Sequence, residues 1–152
     1  STAEHHRLAM TKLAVSGLAY IEVSEAEIGR KDPCYSLDTV KLLQSKARNV
    51  QYYYIIGADS LADLPGWHLA DELVQTVKFV ILKRPGVDIE EAIATLSFPR
   101  FTKESLRKGI VEAEKLDISS TDIRERLREG LSVKDMLPPS VLNYIINHRL
   151  YR

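Results

Sequence analysis

The chain has 152 residues, the size of one ordinary domain, and its 45% apolar and 28% charged residues are usual for a globular protein. Lys plus Arg and Asp plus Glu each number 21, which excludes a global charge that would draw the chain to nucleic acid or an anionic membrane. Cys34 is the single cysteine, so a disulfide framework and a cysteine-rich metal site are excluded, and no signal-peptide pattern or membrane-length apolar run is read, which gives the expectation of a cytoplasmic protein.

Residues 4–15 carry Leu8, Met10, Leu13, Ala14 and Val15 near helical spacing, with Ser1 or Thr2 as the expected cap and Gly17 as the stop. The stretch "AYIEVS" is β-branched and aromatic and reads as a strand. "YSLDTVKLLQSKA" puts Leu37, Val40, Leu43 and Ala47 on one helical face, with Ser36 as N-cap. "VQYYYIIGADS" is nearly continuous apolar sequence from Val50 to Ile56, the pattern of a strand buried on both faces. "VKFVILKRPG" repeats it from Val77 to Leu82, and residues 59–74 between them read as helix broken at "LPGW". Residues 88–108 hold one or two helices with a break at Pro99. "VEAEKLDIS" gives a weaker strand, and "STDIRERLREG" a helix closed by Gly130. Last, "PPSVLNYIINHRLY" places Val141, Leu142, Ile145, Ile146 and Leu150 at helical spacing behind two prolines. Strands alternating with helices imply an α/β fold, a Rossmann-like open parallel sheet flanked by helices, in a single domain over residues 1–152 without repeat or linker.

In such sheets ligands bind beyond the carboxyl ends of strands, where helices begin. Four junctions there are chemically unusual. In "LDISSTDIRERLREG" the hydroxyls of Ser119, Ser120 and Thr121 stand at a helix start, where free N–H groups and the dipole favour phosphate. Arg124, one turn on, adds a guanidinium able to fork onto phosphate oxygens; Arg128 shares its face, and Arg126 points to solvent. A capping box with Ser119 bonded near Asp122 explains one of these hydroxyls. In "IIGADS", Gly57 lets a ligand approach the backbone, and Asp59 either takes paired ribose hydroxyls or caps the following helix. In "LPGWHLADEL", Trp67 either stacks on a flat ligand ring or anchors the loop in the core, and His68 alone is a weak signal for base or metal ligand. In "DPCYSLDT", Ser36 opens a helix whose N-terminus could hold a carboxylate, with capping as the alternative. Arg84 in "KRPG" follows a buried strand and either reaches a phosphate or stays solvated.

Taken in this order, "YSLDT", "YYYIIGADSLADLPGWH", "FVILKRPG", "LDISSTDIRERLREG" and "PPSVLNYIINHRLY" resemble the nicotinate-nucleotide adenylyltransferases, a family of the nucleotidyltransferase superfamily. The resemblance runs from about Glu4 to Tyr151. "ISSTDIR" alone would also suit other adenylyltransferases of the superfamily; its combination with "GADSLADLPGWH" is more specific. The resemblance implies adenylyl transfer from ATP to nicotinate mononucleotide, with Mg²⁺ accompanying ATP. It assigns Ser119, Ser120, Thr121 and Arg124 to the ATP phosphates, Ile118 to the adenine, Gly57 and Asp59 to the adenylate ribose, and Arg84 to the nucleotide site. It assigns Tyr35, Ser36, Trp67 and His68 to nicotinate mononucleotide; Ser36 stands where threonine is more frequent, and the hydroxyl is kept. Members of the family open with a strand and a turn of the form G-x-F-D-P-x-H-x-G-H, whereas His5 and His6 lie in a different context, so no catalytic residue is assigned. The expectation that follows is a chain lacking at least one strand-helix-strand unit, roughly 30 residues, and inactive without it. The expected partners are ATP and nicotinate mononucleotide, not nucleic acid or membrane, with a homo-oligomer left open. The competing readings are an adenylyltransferase for nicotinamide mononucleotide or pantetheine phosphate, and a non-catalytic nucleotide-binding module.

Overall fold

The two long apolar runs become neighbouring parallel strands. In the computed structural model, which describes residues 2–47, 49–84, 86–112 and 118–152, β1 (Tyr53–Gly57) pairs in parallel with β2 (Lys78–Leu82), from Tyr53 opposite Lys78 to Gly57 opposite Leu82. β3 (Ile110–Val111) adds in parallel to the other edge of β2, Ile81 opposite Ile110. The described residues thus form a three-stranded parallel sheet in the order β1-β2-β3, with the crossovers made by helices as parallel pairing requires. Gly109 precedes β3 because a β-carbon there would overlap the carbonyl of Phe79; without one, the backbone closes until the Ile81 N–H donates to the Gly109 carbonyl at 2.8 Å.

The chain divides into two compact units, Arg30–Lys115 and Ser1–Gly29 with Leu116–Arg152. The first holds the sheet with α2 (Ser36–Lys46), α3 (Ala70–Thr76), α4 (Ile89–Thr95) and α5 (Arg100–Lys108). Two short 3₁₀ turns, Ala58–Ser60 and Leu64–Gly66, occupy the stretch read as broken helix, and Pro99 stands between α4 and α5 as expected. Leu37, Leu61, Leu64, Leu73, Ile81 and Ile93 are fully buried at its centre. Two tyrosines on one face of the β1 segment tie down α2: Tyr52 Oη donates to the Leu43 carbonyl at 2.9 Å, and Tyr54 Oη lies 2.7 Å from Ser36 Oγ. The second unit contains α1 (Glu4–Val15), α6 (Ser120–Arg128) and α7 (Pro139–Asn147), with Val133, Val141 and Ile145 buried and Ser140 Oγ donating to the Leu13 carbonyl at 3.3 Å.

Four expectations are corrected. Residues 19–24 form no strand: Tyr20 is 83% exposed, and β-branched sequence without a neighbouring strand has no ladder to join. The Val50–Ile56 run is buried on one face only. Tyr53 and Ile55 are 58% and 65% exposed, because β1 has a partner on one side only among the described residues and alternate side chains face away from the helices. α1 starts after Ala3 without a side-chain cap; Thr2 instead uses its carbonyl to accept from Arg7 Nη1 at 2.6 Å, and Ser1 lies outside the described residues. The strand read in "VEAEKLDIS" is seen at Val111 in β3 and not at Ser119, which caps a helix; its residues 113–117 lie outside the described residues.

Candidate functional site

The parallel register decides which residues meet at the carboxyl end of the sheet. Gly57 and Leu82 are register partners, so Asp59 and Arg84, each two residues further on, come out side by side. Arg84 Nε stands 3.5 Å from Asp59 Oδ1, both side chains half or more exposed. Asp59 lies within the Ala58–Ser60 turn and Gly57 precedes it, so the carboxylate is not spent on a helix cap. A β-carbon on Gly57 would overlap Asp59 Oδ1 and approach Arg84 Nε to 3.3 Å, so the glycine leaves room for the carboxylate to sit over the strand end. An acceptor-only carboxylate beside a forked cation is suited to a polyol with a phosphate attached. At the neighbouring strand ends Lys83 Nζ donates to Glu112 Oε1 at 2.6 Å, and that bond together with the lysine's charge holds the Glu112 carboxyl below its ordinary value.

The second group in the same unit gathers around the start of α2. Ser36 is the first helical residue, not the N-cap that its sequence suggests; Tyr35 occupies that position in extended backbone without a capping bond. Freed from capping, Ser36 Oγ pairs with Tyr54 Oη. The Tyr54 ring in turn meets the half-buried Trp67 edge-to-face, centroids 5.9 Å apart at 73°, and leans on Phe79, its register partner, at 5.6 Å. Trp67 packs against the buried core on one side, so core anchor and partly open ring are the same residue. Tyr35 stacks on His68 with centroids 4.0 Å apart and planes 23° apart. Leu69, at φ +50°, turns the backbone sharply after His68 before α3 begins. Tyr35 and His68 are therefore a contacting pair, while Ser36 and Trp67 each meet Tyr54. Tyr54 is the member that sequence reading missed. Its signal was there: it lies two residues before buried Ile56 in a strand, on the face that points at helices.

In the other unit, α6 is opened by Ser119, whose Oγ accepts from the Asp122 N–H at 3.0 Å. That is the capping bond, and it leaves the Ser119 hydroxyl hydrogen as a donor. Thr121 and Arg124 are joined, Nη2 donating to Oγ1 at 3.3 Å, so the guanidinium folds back toward the helix start. Arg126 is held on the surface by Asp122 at 3.1 Å, as its expected solvent position requires. Ile118 is 36% exposed beside this helix start. Ser120 and Arg124 face a cavity of about 280 Å³ whose walls also include Met10 of α1 and Val141 and Ile145 of α7. α6 thus presents Ser120, Thr121 and Arg124 near its positive end, where an anion is favoured.

Residues 1–126 match the family model described as cytidylyltransferase-like. The probable nicotinate-nucleotide adenylyltransferase of Herpetosiphon aurantiacus is 37% identical over 150 residues, covering 99% of this chain and 74% of that protein. Proteins of the same name from Roseiflexus sp. and Salinibacter ruber are 37% and 35% identical, with this chain spanning 72% and 73% of their lengths and 97% and 99% of its own matched. Among solved structures, Plasmodium falciparum nicotinic acid mononucleotide adenylyltransferase complexed with NaAD superposes at a TM-score of 0.72 with 21% identity, over 99% of this chain and 75% of that one. This last likeness speaks for the fold.

Proposed function

The chain belongs to the nicotinate-nucleotide adenylyltransferase family, and from that premise we propose that it transfers the adenylyl group of ATP to nicotinate mononucleotide, giving nicotinate adenine dinucleotide and pyrophosphate. A 5′-phosphate oxygen of the mononucleotide forms a bond to the α-phosphorus of ATP while the bond to the bridging oxygen breaks and pyrophosphate leaves with its electrons. Such a transfer asks the protein chiefly for position and charge neutralisation. In this reading Asp59 accepts from the adenylate ribose hydroxyls, Gly57 lets the sugar approach, and Arg84 answers a phosphate. Ser119, Ser120, Thr121 and Arg124 receive the ATP phosphates at the start of α6, with Ile118 beside the adenine. Trp67 lies along the nicotinate ring, Ser36 offers its hydroxyl and the α2 N-terminus to the ring carboxylate, and Tyr35 with His68 closes one side.

Mg²⁺ belongs to this proposal as part of the substrate, entering on the ATP phosphates. Among the described residues no group of three or more His, Cys, Asp or Glu side chains is gathered to hold a metal ion. Among those residues no helix is long and apolar enough to cross a membrane. A cytoplasmic location is part of the same reading.

The observation that supports the reading best is the corner of Ser36, Tyr54 and Trp67, a hydroxyl at a helix N-terminus beside a partly open aromatic ring. A carboxylated pyridine needs both. The test supplies the protein, expressed from its complete reading frame, with Mg²⁺-ATP and either mononucleotide and measures pyrophosphate. Nicotinate mononucleotide is expected to be used about tenfold better than the nicotinamide form, since a helix N-terminus rewards a carboxylate over a neutral amide. Equal use of both, or use of pantetheine phosphate alone, would reassign the acceptor. Nucleotide binding without pyrophosphate release would indicate a binding module.

A further inference from the structure

The hydrogen-bond chemistry of the α2 corner assigns a role to a residue outside the expected set. A ring carboxylate only accepts hydrogen bonds, so a serine that serves it must present its hydrogen outward. Ser36 Oγ and Tyr54 Oη are 2.7 Å apart, and either could donate to the other. If Ser36 donated to the tyrosine, its single hydrogen would be used and a lone pair would face the ligand's negative charge. If Tyr54 donates, Ser36 keeps its hydrogen for the carboxylate, and accepting one bond strengthens the bond that it gives.

We propose that Tyr54 is a positioning and specificity-determining residue, whose phenol donates to Ser36 Oγ and thereby sets that hydroxyl as a donor to the nicotinate carboxylate. The claim rests on the proposed reaction. Tyr54 is built for a fixed orientation: its backbone is locked in β1 opposite Phe79, its ring leans on the Phe79 ring, and Trp67 meets it edge-on at 73°. The same ring therefore touches both groups, the serine hydroxyl through its oxygen and the tryptophan through a T-shaped contact. A ligand that fits between them is a flat aromatic ring carrying an anionic group in its plane. An uncharged carboxamide can donate as well as accept, so it gains less from a serine fixed as donor.

The test is Tyr54→Phe, which removes one oxygen and keeps the ring. The expected result is a KM for nicotinate mononucleotide raised about fivefold, with kcat and the KM for ATP unchanged and the preference over nicotinamide mononucleotide reduced by the same factor. In a Ser36→Ala background the Tyr54→Phe change should have no further effect on that KM, because the oxygen it acts through is gone. An unchanged KM, a parallel rise in the KM for ATP, a fall confined to kcat, or full additivity with Ser36→Ala would overturn the role. If Tyr54→Phe fails to fold, Tyr54→Met in the same assay, an apolar side chain without a hydrogen-bond donor, replaces it: loss of acceptor preference supports the role and retained preference overturns it. A wild-type protein that makes no dinucleotide from nicotinate mononucleotide would remove the reaction itself. A wild type that does so, with a variant indistinguishable from it, would remove only Tyr54.

Discussion

Asp59 and Arg84 are set by register, and Gly57 is what lets them stay there. The Asp59 carboxylate lies over the Gly57 α-carbon, in space that any side chain at that position would fill. The backbone angle of Gly57, φ −77°, is open to every residue, so the constraint is one of room. Gly57→Ala should fold, because the methyl group meets the movable end of a short exposed side chain and not a backbone atom. It should nevertheless displace the carboxylate by enough to spoil its hydrogen bonds to a sugar. The expected outcome is a KM for ATP raised about tenfold, a thermal midpoint close to wild type, and an unchanged KM for the mononucleotide. A variant that loses both substrates equally would place Gly57 in the general architecture instead. Much of this was legible from residue types, since a glycine and an aspartate after a buried run suggest a ligand at a strand end. Tyr54 was not. Its neighbours Tyr52 and Tyr53 carry the same side chain, and only strand register and the packing of α2 distinguish the tyrosine that reaches Ser36 from the one that faces outward.

Among the elements, α6 shows two demands meeting on three adjacent hydroxyls. Ser119 supplies the cap, accepting from the Asp122 N–H, and Asp122 at the first turn both suits the dipole and holds Arg126. Ser120 and Thr121 are inside the helix and are not needed for that task. The sequence reading placed the helix and its cap correctly because the signal is local: a short polar side chain followed three residues later by an acid. It misjudged Ser36 for the same reason. Capping preference alone selected Ser36, whereas its pairing with Tyr54, 18 residues away, puts it one position inside α2. The strand predicted at residues 19–24 failed because β-branched residues describe a surface that fits a sheet and do not provide the sheet. Ser119→Ala should lower stability by about 1 kcal/mol, measured by denaturant unfolding. At temperatures well below the transition it should weaken ATP less than Ser120→Ala or Thr121→Ala does. The reverse order would make Ser119 a phosphate ligand first and a cap second.

At the level of the whole molecule, acidic and basic residues are equal in number, and the chain carries four histidines. Three of them meet where α1 packs on α7. His6 Nδ1 shares a hydrogen bond of 2.9 Å with Tyr144 Oη, its ring lies 4.1 Å from that of His5 and 5.2 Å from that of His148, and His148 stacks on Tyr144. Packing withdraws His6 from water and the two neighbouring histidines oppose a further positive charge, so its pKa lies below the ordinary value. The sign follows from proton counting. The unfolded chain accepts a proton at His6 near the ordinary value, about 6.5, while the folded chain resists it. Stability is therefore complete above that pH and declines as pH falls through and below it, because the unfolded state then binds more protons. Glu112 acts in a separate, more acidic window: its pKa is lowered by Lys83, so the stability it contributes is present above the ordinary carboxylate value and is lost as pH falls through and below it. Between about pH 7.5 and about pH 5.5 His6 should thus dominate. The expected outcome is a thermal midpoint that falls across this interval, together with faster amide exchange in α1 and α7 than the intrinsic pH dependence gives. His148→Gln removes one of the two charges that oppose protonation of His6 and should flatten the fall; added salt should reduce it in the wild type, since His5 and His148 are exposed to solvent. A midpoint indifferent to pH over that interval, or a slope unchanged in His148→Gln, would mean that the three rings pack together without their charges mattering to the fold.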